Sequence, residues 1–309
     1  MSRNLRHILY FVLISYSLAW VVALPLWLGH GLYDGKFRLL AGTMMFTPGL
    51  AALIMVFAIE RGPKKFTRLG LWPLKPAKRF VFYMVLGLLV PVALIMQALL
   101  VGSMLGLYPG DFTEFSGFKF ALQYQLALAG ETELPRPIGV LVALQFVNVL
   151  IGALVNLIPA LGEELGWRGW LLPKLMGYGP VPAILVSGVL WGMWHAPLIL
   201  LGYNYTLAPG WLGMIMMTGM CVTVGAFFGW LRLRSSSVWP AALAHATFNA
   251  AAGLMLVFMM RGKNIDTVNA TILGWSGWML PLVFVAILVV TKKFSAPQLS
   301  TSPTKQPVI

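Results

Sequence analysis

Six residues of this chain combine reactive side chains with apolar surroundings: Glu163, Glu164, Arg168, His195, His245 and Asn249. An ionisable group inside an apolar span costs at least about 2.5–3.5 kcal/mol on insertion scales, so it is read first as a functional group. Glu164 and Arg168 are four residues apart and can pair on one helix face. Glu163 is turned from Glu164 by about 100°, and one arginine can hardly serve both carboxylates. Trp191 sits one turn before His195 and can pack on its ring. His245 and Asn249 share a face, flanked by Ala241, Ala242, Ala244, Ala246 and Ala250, which lets helices approach closely. Each feature has a plainer reading. Glu164–Arg168 can be a structural pair, a single histidine can be an interhelical hydrogen bond, and Asn249 can join two helices. Together, however, they are the side-chain types used in acid–base or metal chemistry.

The elements that must position these groups are membrane helices. The chain has 309 residues, 59% apolar and only 10% charged, against roughly 25% charged in soluble domains. Its mean hydropathy is +0.82. Too few polar residues exist to cover a soluble fold of this size, and disorder is excluded by the apolar content. Spans of about 20 apolar residues are expected at 8–29, 39–59, 80–105, 138–161, 181–201, 211–231, 238–258 and 272–291, giving an all-α, polytopic bundle of about eight transmembrane helices. The first is too long for a signal-peptide core and lacks an evident cleavage site. In this topology sixteen of the 22 Lys and Arg fall on the side of the termini and six on the other. That bias places both termini in the cytoplasm. It also accounts for the net charge of +13, and no nucleic-acid partner is expected. The basic loop Arg61–Arg79 is cytoplasmic in this reading. The segment Leu107–Pro137 lies outside, with an interfacial helix expected around Phe115–Leu128. Cys221, the one cysteine, excludes an intramolecular disulfide and a cysteine-cluster metal site. The organisation expected is N-terminal helices and loops in 1–137, a core in 138–258, a last span in 259–294 and a disordered tail in 295–309. That tail ends Gln306-Pro307-Val308-Ile309 without a nearby cysteine, so no prenylation signal of the chain's own is expected.

Three motifs carry a family resemblance: Glu163-Glu164-x-x-x-Arg168, Trp191-x-x-x-His195 and His245-x-x-x-Asn249. In order and spacing they resemble the signatures of the CPBP intramembrane proteases, the group of CaaX prenyl-protein endoproteases and bacteriocin-immunity relatives. Trp191 stands where phenylalanine is common. The resemblance covers about Ile138–Leu256. It implies that Glu163 activates the attacking water with help from His195, that His245 and Asn249 stabilise the oxyanion or hold a metal, and that Glu164 and Arg168 support the site. The chemistry agrees: a carboxylate in low dielectric is a stronger base, and the tetrahedral intermediate needs an opposing donor. Glu163, His195 and His245 are the candidate ligands for a zinc ion. Asn249 would be a poor ligand and no HExxH is present, so metalloprotease and metal-free glutamate protease both stay open.

The function expected is an intramembrane endopeptidase of a multi-pass protein in the bacterial cytoplasmic membrane, cutting membrane-associated peptide or protein substrates near the cytoplasmic side, with lipid as its other partner. A proton-coupled transporter using Glu163 and the histidines, or a non-catalytic scaffold or self-immunity protein on the same fold, are the alternatives. No internal repeat of the transporter kind is evident. Upright helices would place His195 and His245 at depths differing by roughly 10 Å, a difference that tilt or kinking must close.

Overall fold

The computed structural model describes residues 2–72, 74–131 and 133–294; the expected disordered tail lies outside them. The described residues are helical apart from loops and one isolated antiparallel bridge between Gly110 and Met259. The longer helices are α1 (Arg3–Leu28), α2 (Phe37–Met44), α3 (Thr47–Ile54), α4 (Ala77–Met104), α5 (Ser116–Leu128), α6 (Ile138–Glu164), α7 (Pro180–Trp194), α8 (Gly210–Ser235), α9 (Trp239–Ala251) and α10 (Trp275–Val290). The protein is a multi-pass membrane helix bundle.

Among the described residues, six helical stretches are long and apolar enough to cross a membrane: Arg3–Leu28, Phe37–Ile59, Ala77–Met104, Ile138–Tyr178, Gly210–Ser235 and Trp239–Val257. The other two expected spans are the shorter apolar helices α7 and α10, of 15 and 16 residues. At about 1.5 Å per residue neither reaches the roughly 30 Å of a hydrocarbon core alone. After His195, α7 gains a further helical turn, Ala196–Ile199. The second span is two helices continued by a π-helical turn, Met55–Ile59. The fourth runs past its expected end near Leu161, through a π-helical stretch at Leu165–Leu171, as far as Tyr178. Helix α5 occupies the region expected for the interfacial helix and buries none of its residues.

Helix α9 is the axis of the bundle. It packs most extensively on α6 and then on α4, while α8 lies along α7. Small residues permit this closeness. Ala241, Ala242, Ala244 and Ala246 are buried, and the facing glycines leave no room for a side chain: a Cβ on Gly87 would lie 2.7 Å from the Pro240 carbonyl, and one on Gly152 would lie 3.0 Å from the Ala250 methyl. With little hydrophobic drive between helices in lipid, such backbone approach is what holds them.

The two ends of the bundle are distinct. One end joins 3–4, 60–79, 174–178 and 234–238: Asn4 donates to the Tyr178 hydroxyl at 3.4 Å, Lys174 meets Glu60 at 2.8 Å, and the Val238 amide donates to the Gly70 carbonyl at 2.9 Å. The other joins 37, 108–117, 203–205 and 258–273: the Phe37 and Tyr203 rings lie 5.4 Å apart, the Asp111 amide donates to the Phe258 carbonyl at 2.7 Å, and the Tyr205 hydroxyl donates to the Leu273 carbonyl at 3.1 Å.

Candidate active site

The last turn of α6 and the π-helical stretch after it carry the first motif. π-helical turns are rare and concentrate at functional sites. Glu163, Glu164 and Arg168 are all but fully buried. The expected i,i+4 pair forms, with Arg168 donating from Nη1 to Glu164 Oε1 at 2.8 Å. The guanidinium also lies 4.2 Å from the Trp191 ring centre and 5.4 Å from that of Phe228. Cation–π contact thus supplements the carboxylate in compensating a buried charge.

Glu164 has a second partner. The same Oε1 accepts from His245 Nδ1 at 2.9 Å. That bond sets the imidazole's orientation and leaves Nε2 for other contacts, as a carboxylate does for a catalytic histidine. The ring is stacked on Phe228, with centroids 5.5 Å apart and planes at 24°. Glu163 is held differently. The Trp191 indole N–H donates to its Oε2 at 2.8 Å, and Arg168 makes no bond to it. The two adjacent carboxylates therefore have separate partners, as the single arginine requires.

His195 closes α7 as its C-cap. Its Nδ1 lies 2.9 Å from the Trp191 carbonyl, one turn back. A carbonyl only accepts, so the ring proton is assigned to Nδ1 and the Nε2 lone pair remains. The Trp191 ring lies between the two imidazoles, 5.7 Å from His195 and 5.4 Å from His245, centroid to centroid. The difference in depth expected for upright helices is thus bridged by one indole.

Glu163, Trp191, His195, His245 and Asn249 line a single cavity of about 420 Å³. Glu164 and Arg168 stand behind it and do not line it. Asn156 of α6 and Tyr203 after α7 also reach the cavity, whose walls are otherwise rich in methionine and leucine. Sequence reasoning did not single out Asn156, Tyr203 or Phe228. Asn156, a polar residue seven positions before Glu163 and so on the same face of α6, was the one with a visible signal. Cys221 is buried with its sulfur 3.9 Å from His195 Nδ1.

Among the described residues no three His, Cys, Asp or Glu side chains are gathered so as to hold an ion. Both imidazoles are oriented through Nδ1 and Glu163 through Oε2, which leaves His195 Nε2, His245 Nε2 and Glu163 Oε1 as the atoms to face the cavity.

Fold and site together define a membrane helix bundle with a buried carboxylate–histidine cavity. Residues 145–251 match the family described as Type II CAAX prenyl endopeptidase Rce1-like, which agrees with the CPBP resemblance of the three motifs. A stretch of 110 residues is 31% identical to CAAX prenyl protease 2 of Methanococcus maripaludis, over 34% of this chain and 39% of that protein. The chain thus spans about two fifths of the length of the curated relative it matches, and the family match includes Glu163, Trp191, His195, His245 and Asn249 of the cavity.

Proposed function

We propose that the protein is an intramembrane endopeptidase in which Glu163 activates water. The observation that carries this reading is the convergence of Glu163, His195, His245 and Asn249, from three helical segments, on one cavity large enough for an extended peptide segment. Trp191 fixes Glu163 Oε2, which leaves Oε1 for a water molecule. His195 Nε2 accepts the water's second hydrogen and orients it. Glu163 takes one proton, the water oxygen bonds to the carbonyl carbon, and the carbonyl electrons move onto its oxygen. The Asn249 amide donates to that oxyanion. Glu164 orients the His245 ring through Nδ1, which holds His245 beside Asn249 on the oxyanion side of the cavity. Collapse breaks the C–N bond, and the proton held by Glu163 passes to the leaving nitrogen. No step passes through a metal.

The relative's name assigns it a CAAX prenyl substrate. Only peptide-bond hydrolysis is carried over to this chain, in the cytoplasmic membrane of a bacterium. The test is cleavage of an internally quenched, lipid-anchored peptide by purified protein in detergent, with and without chelator. Glu163-dependent cleavage that survives chelation is expected. Loss of activity on chelation with recovery on added zinc would replace this scheme by a metalloprotease one. Undiminished function after simultaneous loss of Glu163 and His245 would point to a scaffold.

A further inference from the structure

We infer that the cavity takes its substrate from the extracytoplasmic side, so that the peptides cut are exported or membrane-anchored segments presented at the outer face. This rests on the peptidase reading of the site. The cavity's upper wall is built from the loop end of the bundle, where Phe37, Arg38, Tyr203, Asn204 and Leu273 reach it. Arg38 and Tyr203 are exposed there. Among the described residues, none that lines the cavity comes from 60–79, 172–180 or 229–238, the segments of the opposite end. Between Glu163 and that opposite end lies a sealed layer: Glu164, Trp167, Arg168, Leu171 and Phe228 are each at most 1% exposed.

Charge tells the two ends apart. At the sealed end, segments 3–6, 60–79, 174, 232–234 and 292–293 hold fourteen Lys and Arg and one acid, Glu60. The open end, in 34–38, 111–136 and 261–266, holds six basic and six acidic residues and is neutral. A cytoplasmic excess of Lys and Arg sets membrane orientation, so the sealed end is cytoplasmic and the mouth faces outward. A prenylated chain end in the cytoplasm would meet the sealed layer. Access from outside is compatible with a cut toward the cytoplasmic side, because Glu163 lies in the last turn of α6, next to the sealed layer.

The experiment uses the full chain in right-side-out membrane vesicles. Native Cys221 is buried, so the unaltered protein should take no label from a membrane-impermeant maleimide. Arg38→Cys, and Tyr203→Cys as a second mouth position, should label from outside. Lys64→Cys should label only after permeabilisation. Maleimide on Cys at position 38 should slow cleavage of the quenched peptide roughly tenfold or more by obstructing the mouth, and peptide added outside should be cut without permeabilisation. Labelling of positions 38 and 203 only from within, or cleavage only after permeabilisation, overturns the proposal. Absence of cleavage even in detergent overturns the peptidase reading itself, and the labelling pattern alone then decides the orientation.

Discussion

Glu163 and Glu164 are adjacent and chemically identical, yet their partners give them different work. Glu164 is tied to Arg168 and His245 behind the cavity, while Glu163 faces into it and is held by one indole N–H. Glu163→Gln keeps shape and hydrogen bonding but removes the base. Cleavage should fall by about 10²–10⁴-fold with thermal unfolding nearly unchanged; a fully active variant would exclude the general-base role. Glu164→Gln leaves a buried guanidinium without its countercharge, and breaking a buried pair costs about 3–5 kcal/mol. Its unfolding temperature should drop sharply, which Glu163→Gln should not reproduce. Trp191→Phe retains the ring against both histidines and deletes only the donor to Glu163. Turnover should fall by roughly tenfold, on the scale of about 1.4 kcal/mol, with the variant still folded; unaltered turnover would mean the indole bond is incidental. At this scale the sequence made the Glu164–Arg168 pair visible, because a spacing of four is local helix geometry. The Glu164–His245 and Trp191–Glu163 bonds join residues 81 and 28 positions apart, and no spacing rule reaches across helices.

Hydropathy located every apolar helix because burial in lipid demands a continuous run of apolar residues. It misplaced the end of α6, since Arg168 and Lys174 interrupt the run while the backbone hydrogen bonding continues through the π-helical stretch to Tyr178. The single span expected at 39–59 is found as Phe37–Ile59, with a break between α2 and α3 at Met45-Phe46 that hydropathy does not show. The glycines that seat α9 carry their own test. Gly87→Val puts a branched side chain against the Pro240 carbonyl and should push α9 away, costing about 1–3 kcal/mol as overpacking does. Because α9 carries His245 and Asn249, cleavage should fall along with stability, whereas a variant as stable as the parent would show that α9 has slack at this contact. The loop between α4 and α5 depends on Asp111 in a pH-dependent way. Ser116, through side-chain and backbone hydrogen bonds, and the Glu114 and Thr113 amides hold its carboxyl down at about 2, below the usual carboxylate range. A depressed folded-state value adds stability above the unfolded value and loses it as pH falls through the folded one. Asp111→Asn should therefore lower the unfolding temperature at pH 7, and the gap from the parent should narrow between pH 4 and pH 2. A gap constant across that range would contradict the hydrogen-bond assignment.

The whole molecule is organised by the contrast between its ends, and the sequence showed that contrast as a charge asymmetry before it showed where any cavity opens. What it did not show is how fourteen cations are accommodated at one end. The centre of that arrangement is Glu60, whose side chain is only 6% exposed. It meets Lys174 at 2.8 Å and His7 at 3.2 Å, and it also pairs with Arg68. One carboxylate thus joins α1, the loop after α3 and the distal end of the fourth span, three segments remote in sequence. Sequence reading treats Glu60 as the end of a span, because the partners that give it meaning come from elsewhere in the chain. Glu60→Gln should leave Arg68 and Lys174 facing each other without compensation and lower stability by about 1–3 kcal/mol, the scale of losing hydrogen bonds to a charged group. Because Arg68 and Lys174 are partly exposed, raising salt should screen their repulsion and recover part of the loss. The cavity lies on the other side of the sealed layer, so the rate per folded molecule should stay at the parental value. The measurement is thermal unfolding of parent and variant at low and high ionic strength, with cleavage followed alongside. A salt-independent loss would assign Glu60 a packing role, and a fall in the rate per folded molecule would show that the two ends of the bundle are coupled through the layer that separates them.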